Sequence, residues 1–187
     1  MKIIHKSYKF RLEPTSEQMV LLSKHFGACR FVYNRFLNER KEKYLNEKTS
    51  LTYYDNAKTL TSIKKEDYFD WLKEVNSQSL QSAIRNLDSA YKNFFNKQNK
   101  FPRFKTKNDR QSFSVPQNVL INDGRLIIPK FKKGIKIISH REIEGKILFA
   151  TISKSTTNKY YVSITCEVNH KPFDKTGSSV GIDTGIK

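Results

Sequence analysis

The sequence predicts an α+β fold, in which a β-barrel is interrupted by an inserted bundle of helices. Three observations lead to this prediction. Polar and apolar residues alternate over residues 7–12, as in a half-buried strand. Between residues 16 and 94 apolar residues recur every three or four positions, which is the spacing of helices, and beyond residue 111 the period falls to two. Because a lone strand needs partners, we expect residues 7–12 to join the later sheet.

The first helical segment begins after Pro14. Thr15 and Gln18 have the spacing of a capping box, so a helix is expected to begin at residue 16. We expect Gly27 to interrupt it and a second helix to cover residues 28–46. The second helix carries a basic side that includes Arg30 and Arg35.

Three further segments complete the helical region. A weaker helix is predicted over residues 53–66, and a short apolar turn or helix over residues 69–75. The clearest helix follows an expected cap at Ser77. Its apolar stripe consists of Leu80, Ala83, Ile84, Leu87, Ala90, Tyr91 and Phe94, a spacing more typical of a core face than of a partner groove.

Short strands are predicted after the helices. Asp123 and Gly124 separate two apolar runs, which is a strong signal for a two-stranded hairpin. The remaining pattern alternates with period two, and Lys154 to Lys159 would connect the last two strands. The predicted strands cover residues 112–115, 119–121, 125–128, 135–139, 146–153 and 160–168.

The charge predicts a polyanionic partner. The chain has 35 Lys and Arg against 18 Asp and Glu, a formal net charge of +17, and nucleic acid relieves such self-repulsion. Residues 97–110 hold six cations, one acid and two interleaved phenylalanines, Phe101 and Phe104. The alternative is a solvated loop without a binding role, which the two phenylalanines anchor to the core. The candidate nucleic-acid-binding cations are Arg30, Arg35, Lys97, Lys100, Arg103, Lys105, Lys107 and Arg110.

Several classes of protein do not fit the sequence. No stretch approaches 18 apolar residues and no signal peptide is apparent, so we expect no membrane partner and a cytoplasmic location. Cys29 and Cys166 are too far apart for a metal clip, so no zinc site is expected and both should be buried.

The last motif contains one carboxylate, Asp183, in a short apolar run between Gly181 and Gly185. A carboxylate within a buried strand is costly unless it binds a cation, and the glycines leave room for Mg²⁺. The alternative is an Asp183 that lies in an ordinary turn. Two-metal chemistry needs several carboxylates, and one cannot hold two ions.

These residues together resemble the N-terminal half of the TnpB, or OrfB-type, family of insertion-sequence proteins. That family consists of RNA-guided DNA nucleases related to type V CRISPR effectors. The matching runs are YKFRLEP at 8–14, ACRFVYN at 28–34, LTY at 51–53, WLKEV at 71–75, AYKNFF at 90–95, FPRFK at 101–105 and VGIDTGIK at 180–187.

The resemblance implies a division of the chain. Residues 1–13 and 111–170 would form the wedge β-barrel, and residues 14–110 the helical recognition insertion. Residues 171–187 would be a linker and the first strand of a truncated RuvC-like nuclease domain with the RNase H fold. Asp183 would be its first catalytic residue and a Mg²⁺ ligand, with the ion bound only if missing residues complete the site.

The resemblance also implies the partners. They would be a guide RNA made from the element end, the target DNA and, as an alternative, a polypeptide that supplies the rest of the nuclease domain. Tyr53, Gln81 and Ser114 match the family's residues that read a motif beside the target. The location would be the bacterial or archaeal cytoplasm, in association with the nucleoid. The chain alone is expected to be unable to cleave.

Two other readings stay open at the level of sequence. One is a stand-alone regulator that binds DNA through a helix-turn-helix within residues 16–46. The other is a basic RNA-binding protein unrelated to transposition.

Overall fold

The computed structural model describes residues 2–170, 177, 179–181 and 185, and these form one antiparallel sheet with helices inserted after its first strand. The helices are α1 (Ser16–Glu47), α2 (Tyr53–Ile63), a 3₁₀ helix (Asp67–Lys73) and α3 (Ser77–Phe95). The strands are β1 (Lys2–Glu13), β2 (Gln111–Val115), β3 (Leu120–Asn122), β4 (Arg125–Ile128), β5 (Phe131–Ile138), β6 (Lys146–Lys154) and β7 (Tyr160–His170).

The first strand lies inside the sheet. The strand order is β2-β6-β7-β1-β5-β4-β3. β1 pairs with β7 from Lys2 to Leu12 and with β5 over its last three residues. The prediction that the N-terminal strand joins the later strands is therefore confirmed, and so is the mixture of helices and sheet. Closure of the sheet into a wedge barrel and the predicted domain boundaries stay predictions.

Helix α1 is one unbroken helix of 32 residues. Its predicted start is confirmed, because the Thr15 side chain accepts from Gln18 N and the Gln18 side chain accepts from Thr15 N. The predicted break at Gly27 is wrong. A helix-turn-helix within residues 16–46 would need a turn there, and the first turn between helices lies at residues 48–52 instead.

The apolar stripe explains why Gly27 does not end the helix. A helical glycine costs about 1 kcal/mol relative to alanine. That is less than the 1.5–3 kcal/mol or so gained by burying one large apolar side chain. Buried side chains on both sides of Gly27 keep one face of α1 against the core: Leu22, Phe26, Ala28, Cys29, Val32, Tyr33, Phe36 and Leu37.

Other ends of elements differ from the prediction by a few residues, and β1 and β5 begin at Lys2 and Phe131 rather than at residues 7 and 135. α2 ends at Ile63 rather than at residue 66, with Leu60 and Ile63 buried as expected. Asn76, not Ser77, caps α3, because its extended backbone lets its side chain accept from Gln78 N at 3.2 Å. The β3–β4 hairpin is confirmed. Asp123 and Gly124 both have positive φ, the geometry that a two-residue loop favours.

A buried arginine ties the three α-helices together. The Arg40 side chain donates from Nε to Asn56 Oδ1 at 2.6 Å, and its Nη1 lies 3.3 Å from Asp88 Oδ1. Arg40 belongs to α1, Asn56 to α2 and Asp88 to α3. Since the guanidinium is buried, loss of either partner would leave an unpaired polar group in the core.

His25 joins the helices to the sheet. Its ring is fully buried and lies 4.9 Å from the ring of Phe113 on β2 and 5.3 Å from that of Phe131 on β5, measured between ring centroids. Nδ1 donates to the carbonyl of Leu21 at 2.8 Å, and Nε2 accepts from the backbone N–H of Asn76 at 3.1 Å. Both hydrogen bonds are made by the neutral ring, and burial lowers the pKa of His25.

Among the helices of the described residues, none combines the length and the apolar character that crossing a membrane requires.

The unbroken helix predicts a stabilising substitution at its glycine. A Cβ added at Gly27 would meet no atom within 4 Å. Gly27→Ala should therefore raise the free energy of unfolding by about 0.5–1 kcal/mol, measured by chemical denaturation. Gly124→Ala is the matched control and should lower it by about 1–2 kcal/mol, because Gly124 has a φ of +67°. A destabilising Gly27→Ala would show that α1 bends in solution.

The buried imidazole predicts a pH dependence of stability. In the unfolded chain His25 takes up a proton near pH 6.5, whereas its lowered pKa in the folded chain resists protonation. The unfolded state then binds more protons, so stability is full above pH 6.5 and falls as the pH drops toward 5. Denaturation curves of wild type and His25→Gln between pH 7.5 and 5 measure this. The variant should be less stable at pH 7.5, and its free energy of unfolding should fall less between pH 7.5 and pH 5. If the free energies of the two proteins fall in parallel, His25 is not the source of the pH dependence.

Candidate nucleic-acid interface

The predicted basic segment forms an exposed loop between α3 and β2, here named the basic loop (residues 97–110). All six of its cations are exposed and, among the described residues, form no ion pair: Lys97, Lys100, Arg103, Lys105, Lys107 and Arg110. The acidic Asp109 instead accepts the backbone N–H of Thr106 at 2.6 Å, which holds a turn. The loop therefore presents nearly all of its positive charge to solvent.

Phe101 anchors the start of the basic loop on α3. Its ring packs edge-on against Tyr91 at 5.6 Å and Phe94 at 5.3 Å, and the following Pro102 is buried. Phe101 and Phe104 are nearly equally exposed, at 47% and 46% of their surface. The loop is therefore anchored at its start and still presents both aromatic rings to solvent.

Lys105 differs from the other cations of the loop because it packs against α1. Its Nζ lies 4.1 Å from the centroid of the Tyr33 ring, and its backbone N and O both bond the side chain of Asn34 at 2.8 Å. Although Lys105 is exposed as a whole residue, partial burial of its ammonium group lowers the pKa of Lys105. Lys105 is thus placed to fix the loop, while its predicted role in binding nucleic acid stays a prediction.

Gln111 organises the far end of the basic loop. Its Nε2 is within hydrogen-bond distance of three backbone carbonyls, those of Thr106 at 3.1 Å, Lys107 at 3.0 Å and Asp109 at 2.6 Å. Its Oε1 accepts from Arg30 Nη1 at 2.5 Å. One side chain therefore connects the loop to α1 and sets the loop's shape. Sequence reasoning missed Gln111, because nothing in a lone glutamine marks such a role.

Two of the predicted cations have partners within the protein. Arg30 bonds Gln111, and the guanidinium of Arg35 lies 5.1 Å from the centroid of the Phe69 ring. Arg35 Nε is buried and has no hydrogen-bond partner. The structure therefore gives both arginines structural contacts, and their predicted contacts with nucleic acid stay untested.

The exposed side of α3 carries a second group of polar side chains. Gln81 is exposed, and Arg85 follows one helical turn later with its guanidinium 5.3 Å from the centroid of the Tyr53 ring. Tyr53 and Gln81 therefore lie beside a shared arginine, which sequence reasoning did not select. Ser114 lies on β2, where its hydroxyl is 3.2 Å from that of Thr151.

The predicted catalytic and metal-binding residue, Asp183, lies outside the described residues. Within residues 2–170, 177, 179–181 and 185, no three His, Cys, Asp or Glu side chains are grouped as metal ligands. Both cysteines are buried and free, as predicted, and burial raises the pKa of Cys29 to about 12. The Cys29 thiol is therefore protonated and unreactive at neutral pH.

Comparison with known proteins identifies relatives over the whole chain. A family model described as a helix-turn-helix domain, of the OrfB type of IS605 elements, matches residues 1–49. A protein of Streptomyces pristinaespiralis named "Putative RNA-guided DNA endonuclease" is 34% identical over 190 residues, which cover 100% of this chain and 47% of the relative. InsQ of Escherichia coli K12, with the same description, is 34% identical over 184 residues, which cover 97% of this chain and 45% of InsQ.

A third relative is shorter. "Virulence protein VsdF" of Salmonella dublin is 38% identical over 114 residues, covering 56% of this chain and 96% of that protein. The chain spans about half the length of the two endonuclease relatives, at 47% and 45%.

The role of Gln111 predicts a local loss of order when its amide is replaced. Gln111→Glu keeps the size of the side chain but cannot donate to the three carbonyls, which should cost about 1–3 kcal/mol of stability. Hydrogen exchange at residues 105–110 should become faster, while the α3 amides should be affected less. Gln117→Glu is the matched control, because Gln117 is exposed and bonds Gln78. If hydrogen exchange at residues 105–110 is equally fast in the two variants, Gln111 does not order the loop.

Proposed function

The chain belongs to the TnpB, or OrfB-type, family of insertion-sequence proteins, and from that premise we propose that it binds nucleic acid as part of a transposon-encoded, RNA-guided DNA endonuclease. The observation that carries the proposal is the basic loop, whose six exposed cations form no ion pair with the described residues. Its partners would be a guide RNA and a target DNA.

The basic loop suits the phosphate backbone of a polynucleotide. Each cation that meets a phosphate releases counterions, which adds affinity without sequence preference. The loop is shaped in advance by Gln111 and Asn34, so fewer backbone conformations are lost when it binds. Pre-organisation of this kind supports a stable contact along one stretch of backbone.

The exposed side of α3 suits the reading of DNA bases. Glutamine can pair with adenine in two hydrogen bonds, and arginine with guanine. Gln81 and Arg85 are neighbours on one helical face, and the Tyr53 ring beneath Arg85 limits the freedom of the guanidinium. We assign target DNA to this side of the molecule and guide RNA to the sheet and the basic loop.

Cleavage is proposed from family membership alone. Asp183 would be the first catalytic carboxylate and a Mg²⁺ ligand of a RuvC-like site. It lies outside the described residues, so no chemical step is derived through the ion. Residues 16–46 contain no turn between helices, so the helix-turn-helix predicted for a stand-alone regulator is not seen within those bounds, although the family model that matches residues 1–49 is described as a helix-turn-helix domain.

The proposal predicts weaker and less salt-dependent binding when the loop loses charge. Lys100→Gln/Arg103→Gln should raise the Kd for a 20-nucleotide RNA by roughly tenfold at 100 mM salt. The slope of log K against log salt should fall by about 1–2, because one or two phosphate contacts are lost. Fluorescence anisotropy against salt concentration measures both quantities.

The matched control for this experiment removes the same charge elsewhere. Lys132→Gln/Lys133→Gln changes two exposed lysines at the start of β5 that form no ion pair among the described residues. Its Kd should stay within about twofold of wild type. Wild-type protein that binds neither RNA nor DNA, or equal losses in both variants, would refute the proposed function.

A further inference from the structure

Lys105 is held at both its backbone N and its backbone carbonyl. The N–H donates to Asn34 Oδ1 and the carbonyl accepts from Asn34 Nδ2, each at 2.8 Å. The side chain then lies against α1, where Nζ is 4.1 Å from the centroid of the Tyr33 ring. The amine of Lys105 therefore has a defined position, unlike that of a lysine whose flexible stem rotates freely in water.

The Lys105 amine is partly withdrawn from water and still within reach of solutes. The residue as a whole is exposed, and its ammonium forms no ion pair within the described part of the chain. Burial lowers the pKa of Lys105, because it outweighs the opposing electrostatic effect of Cys29 and Asp109. A larger share of the neutral amine is then present near pH 7, and the neutral amine is the nucleophilic form.

A narrow cleft borders this amine, between α1, α3, the basic loop and the start of β2. Its lining includes Arg30, Lys105, Asp109 and Arg110. The cleft has a volume of about 30 Å³, room for about one water molecule, so a ligand would be held at its rim. Arg30 already bonds Gln111, whereas Arg110 is exposed and forms no ion pair with the described residues. Arg110 is therefore available to a small anion on the same cleft as Lys105.

Acyl phosphates match both features of this cleft. Such a compound is a small anion, and its carbonyl carbon is attacked by amines. Arginine binds phosphate oxygens through paired N–H donors. With its phosphate on Arg110, an acyl phosphate would present its carbonyl to the Lys105 amine. Holding two reacting groups together in this way speeds their reaction.

We propose that Lys105 is a modification site that takes an acyl group from an acyl phosphate bound at Arg110. Nζ attacks the carbonyl carbon, the N–C bond forms, and the C–O bond to the phosphate breaks. The phosphate leaves with the bonding electron pair and with the proton that the amine loses, so the products are an amide and hydrogen phosphate. The inference goes beyond the proposed function, because the reaction of the amine does not depend on nucleic acid.

Acylation of Lys105 changes the charge and the support of the basic loop. An amide is uncharged, so the loop loses one of its six cations. The attraction between the Lys105 ammonium and the Tyr33 ring is lost as well. The bonds to Asn34 can remain, but the side chain no longer fastens the loop to α1. The modified loop is therefore less positive and less ordered.

Lys64 separates this site from a lysine with only a lowered pKa. Burial lowers the pKa of Lys64, and the nearby charges of Lys130 and Lys73 act in the same direction. The Lys64 ammonium, however, already donates to Ser77 Oγ at 2.7 Å. Lys64 is thus an internal comparison, a lysine withdrawn from water whose nitrogen already has a partner.

The first test measures acylation of the full chain, lysine by lysine. The protein is incubated with acetyl phosphate at pH 7.5, and acetylation of each lysine is followed over time by peptide mass spectrometry. Lys105 should react at least about threefold faster than Lys64 and than the exposed Lys132. Equal rates at the three lysines would overturn the proposal.

The second test asks whether Arg110 holds the phosphate. Arg110→Gln should slow acetylation of Lys105 by acetyl phosphate at least about threefold. Its reaction with an uncharged reagent, the N-hydroxysuccinimide ester of acetic acid, should stay within about twofold of wild type. Arg103→Gln is the matched control, because it removes the same charge from the loop at a residue outside the cleft lining. Equal slowing with both reagents, or in both variants, would overturn the role of Arg110.

The third test follows the loop after modification. Acetyl-lysine is installed at position 105 during synthesis of the protein, and a second preparation carries it at position 132 as the control. Backbone hydrogen exchange of residues 101–106 should be faster in the first preparation than in the control, with the α3 amides unchanged. Equal exchange of residues 101–106 in the two preparations would overturn the effect of acylation on the loop.

Discussion

The arrangement of helices and sheet depends on one buried hydrogen-bonded ring, that of His25. The imidazole bonds a carbonyl of α1 on one side and the backbone N–H at the cap of α3 on the other, between aromatic rings from β2 and β5. A buried backbone N–H without a partner is costly, so the ring satisfies Asn76 as well as filling space. The same residue sets where α3 begins and how α1 lies across the sheet, and the position of the basic loop after α3 follows from both.

Polar side chains, rather than apolar burial, give the basic loop its shape. Like charges along the loop repel one another and favour an open, variable chain. Gln111 and Asn34 oppose that tendency by bonding its backbone, while Phe101 holds its start on α3. The charged ends of the side chains stay in water, so the loop combines a fixed backbone with a high local density of positive charge. That combination suits a phosphate backbone better than a flexible basic tail of equal charge would.

Much of the fold could be predicted because its signals are local. Alternation identified the strands, Asp123-Gly124 the hairpin, and the Thr15–Gln18 spacing the start of α1. Gly27 misled the prediction, since the cost of a helical glycine is visible in the sequence whereas the packing that outweighs it is not. The cap of α3 shifted by one residue for a similar reason, because the bond of Asn76 to His25 depends on the tertiary fold. Site residues were harder to predict. Arg30 and Lys105 are indistinguishable in sequence from free cations, although Arg30 bonds Gln111 at the start of β2 and Lys105 packs on Tyr33 of α1. Arg85 and Gln111 carry no signal of their own.

The eleven-pair ladder between β1 and β7 has a consequence for synthesis of the protein. β1 leaves the ribosome before its long partner β7, which ends at His170, so at 5–20 residues per second the strand waits roughly 8 to 30 seconds before it can pair. An unpaired strand of this length invites association with neighbouring nascent chains. Lys2, Lys6, Lys9 and Arg11 place a cation at short intervals along it, and electrostatic repulsion between identical copies opposes such association. The positive charge of β1 would thus protect the emerging polypeptide from aggregation on polysomes.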